Sequence, residues 1–513
     1  DLYNYSGSFD GFQVGNENPA EILKAMEAGL KTGMQYNNEV NTGGGLKVES
    51  LDAVLKVLTN RLDQLVYLNE IPKDKIDNTV HEYNQLSKYG EEVGIFNAEG
   101  ETPEETDSQY IRRSIVAKFM GVTGQVTHPA MLVKLAGGVK MYAREVENKT
   151  LLLQTMLDRR LVDADSSCVP EQFDGIFRQH MIGVVTKEGG TIEGMTSENV
   201  LDAYFNDPAV VDADGSVLND KLVEDAANVI VNVYNGEFDR IISNPIVFND
   251  YVKQFHESKR VLVGYPNSVV GATMGQSVND IVTQFGRVNI KNDRFFDERK
   301  PKRLGDRATS AKAPVAPTKT TDATAQNNDT KTRFTNHAGN YRYIVTAKNR
   351  YGESAPVAMS DAAIAVTAQQ SVDLQFAAGV GGAYAATCFV VYRTEKNAVI
   401  DANTKYFPIF EVSVSQLAAG YDGAAATKVR DRNRIIAGTK SALIYYNNSE
   451  INEYLQFADT MKMDFAITSP SRRFAILNYG TPVLYQPAKV VRIVNIGKEG
   501  LASVSYTHLR AHE

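Results

Sequence analysis

Apolar residues recur at helical spacing along Val139–Leu161, where Val139, Tyr142, Ala143, Val146, Leu153, Met156 and Leu157 share one face. Glu145, Glu147, Lys149, Asp158 and Arg159 occupy much of the remaining surface. A single helix of that length spans about 34 Å, long enough to serve as the spine of a domain. Pro129 and the Gly137-Gly138 pair mark its start. A second helical repeat, Glu49–Leu68, carries Leu51, Val54, Leu55, Val57, Leu58, Leu62 and Leu65. Residues 1–50 are polar and rich in Gly and Asn apart from the short amphipathic segment Pro19–Leu30, and read as an extended arm.

Elsewhere the period shortens to two. Thr79–Tyr83 alternates and Ile111–Phe119 is a β-rich run. Between them lie Glu99, Glu101, Glu104, Glu105 and Asp107, followed by Arg112 and Arg113, so the expectation is a long hairpin with an acidic turn. A lone hairpin is marginal in water and should lie against something else. The acidic run reads either as a solvated face or as a partner contact.

From 200 to 300 the pattern alternates like a compact α/β domain. A capped helix at Thr191–Ala203 precedes it, with Thr196-Ser197 before Glu198, and an amphipathic helix is expected at Leu218–Tyr234. Strands are expected at Asp239–Ile242, Arg260–Val263 and Gly286–Ile290, with a helix starting in NPIVFND. Residues 301–331, rich in Pro, Ala, Thr and Asn, read as a linker. Residues 332–432 read as an all-β sandwich, with strands at Tyr341–Ala347, Val372–Phe376, Cys388–Arg393 and Tyr406–Val414, expected to fold on its own and to project. Mixed character returns over 433–498, with a helix expected at Ser449–Phe457 and then RRFAILNYGTPVLYQPAKVVRIVNIG. The apolar runs in that closing segment should be covered on both faces, with Val139–Leu161 as the expected cover.

Composition narrows the class. The 513 residues exceed one ordinary core, and 43% hydrophobic with 23% charged residues is normal for a globular protein. No run of eighteen apolar residues occurs, so no membrane span is expected. A net charge of -8, spread along the chain, argues against a surface built to coat nucleic acid. Trp is absent, leaving Tyr and Phe as aromatic anchors. Cys168 and Cys388 stand far apart, with neither disulfide-framework nor metal-ligand spacing, which suits a reducing compartment. The polar start at Asp1 reads as a protease-cut end or a fragment, and residues 499–513 as a tail, with SVSYTHLRAHE resembling foreign sequence.

Chemistry-bearing motifs are sparse. There is no phosphate loop, dinucleotide fingerprint, nucleophile elbow or zinc signature, so no catalytic, cofactor-binding or metal-ligating residue is assigned. The histidines, His81, His128, His180, His256, His337, His508 and His512, are scattered. Asp212-Ala213-Asp214-Gly215 opens like a calcium loop, yet its later positions fit an Asp/Gly turn better. Arg472-Arg473 could pair with the acidic loop of a neighbouring subunit, or within the chain.

Three stretches together resemble the major capsid proteins of tailed bacteriophages, the Hong Kong 97-type fold. FNAEGETPEETDSQYIRRSIVAKFMGVTGQVTHPA, Phe96–Ala130, resembles the E-loop returning to the body. Val139–Leu161 with VPEQFDGIFRQ resembles the spine helix and its following turn, and Arg472–Gly497 the closing peripheral strands. GNYRYIVTAKNRYGESAP resembles a strand and turn of fibronectin type III or immunoglobulin-like modules. The resemblance implies an α+β subunit with an N-terminal arm at 1–50, E-loop and peripheral domain at 51–199 and axial domain at 200–300. After the 301–331 linker come an inserted sandwich at 332–432 and a return to the axial and peripheral domains at 433–498.

The implied function is structural. The subunit would self-assemble, as hexamers and pentamers, into an icosahedral head enclosing phage double-stranded DNA, met non-specifically on the inner face. It would be assembled in the host cytoplasm and found in the virion. Portal and decoration or head-completion proteins are the other implied partners, with no cofactor, no enzymatic activity and no membrane. Candidate inter-subunit contacts are Glu99, Glu101, Glu104, Glu105, Asp107, Arg112, Arg113, Arg472 and Arg473. Some members of the family cross-link an E-loop lysine, and Lys88 stands in that part of the chain, though an ordinary exposed lysine is the simpler reading. An encapsulin-like compartment and an extracellular adhesin or fibre are the alternatives.

Overall fold

In a computed structural model of the chain the described residues are 64–90, 96, 99–102, 105–132, 140–254, 278–467 and 469–498. The expected arm, the Arg260–Val263 strand, the tail and most of the Glu49–Leu68 helix lie outside them. The chain divides into two units, residues 1–58 with 129–144, and residues 59–128 with 145–513. Of the first unit, only residues 129–132 and 140–144, the latter including the opening turn of the spine helix, are described.

The second unit opens with α1 (Val66–Glu70), β1 (Lys73–Lys75), β2 (Val80–Lys88), β3 (Gln109–Val116) and β4 (Lys118–Thr127). The spine helix α2 (Met141–Asp163) and α3 (Ile176–Val185) follow. Next comes α4 (Ser197–Phe205), whose first turn is capped by Thr196, its side chain accepting from the Asn199 N–H. Then come β5 (Val210–Asp212), α5 (Asp220–Asn228), β6 (Arg240–Ser243), α6 (Pro245–Gln254), β7 (Asp280–Thr283) and β8 (Gly286–Asn292). An all-strand stretch runs through β9 (Thr318–Gln326), β10 (Gly339–Tyr341), β11 (Tyr343–Asn349), β12 (Gly352–Glu353) and β13 (Val357–Ala358). It continues through β14 (Ile364–Val366), β15 (Ser371–Ala377), β16 (Cys388–Arg393) and β17 (Phe407–Ser413) to α7 (Val414–Ala419) and β18 (Lys428–Asp431). The chain closes with β19 (Lys440–Tyr445), β20 (Asn452–Asp464), β21 (Ser471–Leu484) and β22 (Val491–Ile496). The fold is mixed α+β.

A six-stranded sheet in the order β5-β22-β19-β6-β8-β7 divides two hydrophobic cores. Because side chains alternate along a strand, Ile241, Ala442, Ile444, Val491 and Ile493 face α5 and α6 through Val223, Ala226, Val247 and Phe248. Ile242, Leu443 and Tyr445 join the other core, with Leu157, Leu161 and Val162 of the spine. Leu484 and Val490 join that second core as well. The expected cover by the spine therefore holds for Leu484 and Val490, whereas Val491 and Ile493 lie beneath α5 and α6.

Along the spine, the buried stripe is Leu153, Leu157 and Leu161 at i, i+4 and i+8. Met156, expected on that stripe, is 47% exposed, because the helix turns its flank outward there. No side chain caps the start of α1; instead Asp293 accepts from the Tyr67 N–H at 3.0 Å and Asp158 from the Leu68 N–H at 2.9 Å. Two buried carboxylates thus meet one helix N-terminus, where the orphan amides favour negative charge.

Two secondary-structure expectations fail. Ser449–Phe457, expected as a helix, is a turn followed by β20, because Tyr454 and Leu455 find ladder partners in both β1 and β21. Thr318–Gln326, expected within the linker, is the strand β9: its threonines suit a pleated edge, and only Ala323 is buried, so the composition looked like low complexity. β9, β15 and β18 form one sheet, which faces the sheet of β11, β16 and β17 across a shared core of Tyr343, Val345, Leu374, Phe376, Phe389 and Val391. The core between two sheets is a sandwich.

The sandwich does not stand clear of the body. Asp422 accepts from Arg432 at 2.9 Å and Arg434 at 2.7 Å, and the same guanidiniums reach Glu198 at 3.0 Å and Asp202 at 2.6 Å on α4. Lys331 pairs with the same two acids. Arg333 binds Asp212 at 2.8 Å, while Asn336 and His337 bind Asp214. The would-be calcium turn is therefore an Asp/Gly turn whose carboxylates receive the sandwich, with Asp214 and Gly215 at positive φ. Cys168 and Cys388, expected in separate regions from their sequence separation, instead meet where the sandwich sits on the body.

Candidate inter-subunit surface

β2 and β3 form a two-stranded hairpin in register from Val80↔Val116 to Lys88↔Gln109. At about 3.4 Å per residue, its nine-residue first strand reaches roughly 30 Å from the root. Alternation gives it two faces. The inner one, His81, Tyr83, Gln85, Ile111, Arg113 and Ile115, is half-buried, and the outer one is exposed throughout.

The inner face rests on the chain's own body. Tyr83 meets Tyr485 edge to face with ring centroids 4.9 Å apart, and Tyr83 and Ile115 pack on Ile76, Ala117, Leu455 and Val483. Gln85 donates to the Tyr485 carbonyl. Arg113 donates to Gln85 at 2.5 Å and to the Thr186 carbonyl, just past the end of α3, at 3.0 Å. The hairpin root is supported within the subunit, and burial pushes the Tyr83 hydroxyl above its ordinary range, with Arg113 pulling the other way.

The outer face and tip are another matter. Val80, Leu86, Tyr110 and Val116 are exposed along the outer face, and Tyr89 and Phe96 near the tip are 88% and 98% exposed. Glu99, Glu101, Glu105 and Asp107 are exposed beside them, while Glu104 lies outside the described residues. Lys88 is likewise exposed on β2. The tip thus combines a carboxylate cluster with uncovered aromatic rings, the type of residue that anchors protein interfaces.

The candidate basic residues divide. Arg112 pairs with Glu82 across the hairpin at 3.3 Å, both largely exposed, an interaction of little worth by itself. Arg113 is turned inward onto Gln85 and Thr186. Arg472 and Arg473 lie at the start of β21, paired in register with Val126 and Gln125 of β4. Arg472 faces Asp464 at 3.8 Å, and Arg473 donates to Gln125 at 3.1 Å. Of these four, Arg112, Arg472 and Arg473 present their charge at the surface. Tyr89, Phe96 and Tyr110 were missed by sequence reading; the signal for them was an aromatic placed in an otherwise polar, acidic stretch.

The family model described as SU10 major capsid protein matches residues 31–339, more than half of the chain. Among solved structures, the chain is similar to the capsid of a native GTA particle, at 8% identity and a TM-score of 0.43, covering 90% of this chain and 99% of the other. It is similar to the SrpI encapsulin complex from Synechococcus elongatus PCC 7942 at 6% identity and a TM-score of 0.40, covering 90% and 96%. For Mycobacterium phage Adephagia the values are 7%, 0.38, 88% and 95%. Comparison with curated protein sequences gave no match.

Proposed function

The chain belongs to the SU10 major capsid protein family, and from that premise we propose that the hairpin β2–β3 is the arm by which one shell subunit grips the next. The observation that carries this reading is the contrast between its two faces. The inner face is anchored to its own subunit by Tyr83, Gln85 and Arg113, whereas Tyr89, Phe96 and Tyr110 stand uncovered beside an acidic tip. Covering those rings on a neighbour removes apolar area from water at roughly 25 cal/mol per Å². The acidic cluster supplies register and discourages wrong pairings. Arg472 and Arg473 of the adjacent subunit are the proposed counter-charges.

Each copy then serves as both donor and acceptor of a hairpin. Such a head-to-tail contact closes into rings when the rotation allows, the geometry that hexamers and pentamers need. Packaged DNA, met without sequence readout on the inner face, and portal or decoration proteins complete the proposed set of partners. The role is structural, and no catalytic chemistry is proposed. The sandwich, which β9 opens at Thr318 and β18 closes at Asp431, is proposed as an immunoglobulin-like module seated on α4.

Replacing Glu101, Glu104 and Glu105 together with Gln tests the reading. The free subunit should keep its circular dichroism spectrum while the yield of shells, counted by electron microscopy, falls. Shells at the normal yield would remove the acidic tip from the contact.

A further inference from the structure

Cys168 lies in the turn after the spine helix and Cys388 opens β16 of the sandwich. They are 220 positions apart, yet their Sγ atoms stand 2.7 Å from each other. Both are buried free thiols. The separation is well inside the roughly 3.5–4.0 Å of non-bonded heavy-atom contact. It is also shorter than the roughly 3.8 Å expected between two thiolates sharing a tetrahedral zinc, each about 2.3 Å from the metal. Glu411 completes the cluster, with its Oε2 3.8 Å from Cys388 Sγ. The Lys348 ammonium binds both Glu411 oxygens, at 2.6 and 2.8 Å. Burial, the contact with Cys168 and the Glu411 charge hold the Cys388 thiol well above its ordinary range while the pair is seated, with only Lys348 pulling the other way, so the thiolates form when the pair meets solvent.

We propose that Cys168 and Cys388 are a redox latch, a disulfide that ties the sandwich to the turn below the spine. The inference is independent of how subunits contact one another. The step requires a two-electron oxidant, and a low-molecular-weight disulfide such as oxidised glutathione supplies it. The Cys168 thiolate attacks one sulfur of that molecule; its S–S bond breaks, a mixed disulfide forms on Cys168, and one small thiolate departs. Cys388, exposed while the sandwich is unseated, gives its proton to solvent, and its thiolate attacks Cys168 Sγ, expelling the second small thiolate. The departing thiolates take up the two protons released by the cysteines. Two protein thiols are thereby oxidised to one disulfide, and one small disulfide is reduced to two thiols. Because both sulfurs are buried, exchange takes place while the sandwich is unseated, and the finished bond is shielded afterwards. The latch stays open where the thiol pool is reduced and closes where it is oxidised.

The test uses the full chain, incubated with oxidised glutathione in mild denaturant and then returned to buffer. Free thiols should fall from two per chain to none. Non-reducing peptide mapping should recover the Cys168 peptide joined to the Cys388 peptide, and the melting temperature should rise, a shift that dithiothreitol reverses. Two glutathione adducts, two unmodified thiols, or a metal ion retained by the pair in native mass spectrometry would each overturn the proposal. Cys388→Ser should carry a single adduct and show no reversible shift. If that variant does not fold, the wild-type peptide map decides alone.

Discussion

Replacing Asp158 with Asn tests how α1 is held against the spine. Burial is the main cause that pushes the Asp158 carboxyl up to about 7, and the neighbouring Asp293 raises it further; the Leu68 N–H and Arg159 work in the opposite direction. Asp293 is raised too, burial again being the largest cause. From an ordinary carboxylate value near 3.8, the rise for Asp158 corresponds to about 4 kcal/mol at roughly 1.4 kcal/mol per pH unit. The sign follows from proton binding. A folded state whose acid titrates late holds more protons than the unfolded chain, so stability is highest below the ordinary value and falls as pH rises through about 7. His180 opposes this over part of the range. Its burial lowers it to about 4, so its contribution is lost as pH falls from near 6.5. The carboxamide introduced by Asp158→Asn keeps an acceptor for the Leu68 amide and cannot ionise, so the variant loses the titration of Asp158 together with its charge repulsion on Asp293. Relative to the wild type it should gain on the order of 3 kcal/mol between about pH 5 and about pH 8, the groups that do not interact with Asp158 cancelling. Urea titrations of the unassembled subunit, followed by far-ultraviolet circular dichroism because the chain has no Trp, measure the difference. A gap between variant and wild type that is the same at both pH values would refute the reasoning.

Three further substitutions probe the framework. Val491→Asp puts a carboxylate among Ile241, Ile444 and Ile493, at a cost of several kcal/mol, and should leave insoluble subunits; soluble, assembling protein would show the strand to be exposed. Asp422→Ala leaves Arg432 and Arg434 with buried charge less well matched, about 3–5 kcal/mol, and should loosen the sandwich from α4; unchanged limited-proteolysis patterns would count against that role. Asp297→Ala removes the carboxylate that accepts from both the N–H and the hydroxyl of Ser441, about 3 kcal/mol, and calorimetry should show the whole transition lowered rather than split in two.

The elements most legible in the sequence were those whose local pattern matched their environment. Cys388–Arg393 reads as a strand because four consecutive β-favouring residues, Phe389 to Tyr392, sit in a segment buried on both faces. Thr196 announced α4 because an N-cap is a local event. Among the site candidates, the exposed acidic tip was legible as a charge run, whereas the inward turn of Arg113 was not, because the Thr186 carbonyl that holds it lies 73 positions away. The same limit hid Arg432 with Glu198, Asp158 with Leu68, and the two cysteines. Each is a pair of ordinary residues whose meaning comes only from a partner far along the chain.

Strand order explains how a whole sandwich can sit inside this body without disrupting its sheet. The chain leaves the six-stranded sheet after β8 and returns at β19, and these two strands flank β6 on either side. β8 runs parallel to β6 and β19 antiparallel to it, so the exit and the re-entry lie at the same end of the sheet. Two strand spacings, about 10 Å, separate them. Asp297, five residues past β8, bridges that gap: its Oδ2 accepts from Ser441 N–H at 2.8 Å and from Ser441 Oγ at 2.6 Å, and its carbonyl accepts from Lys440 at 2.7 Å. Burial works against the Asp297 charge, yet Arg299, Lys440 and Arg492 together hold its carboxyl below the ordinary range. Across the excursion over residues 298–439 the ladder stays continuous, with β6 pairing with β8 on one side and β19 on the other. The closing strands β19 and β22 therefore complete the same sheet that β5, β6 and β8 begin, and both cores of the body depend on them.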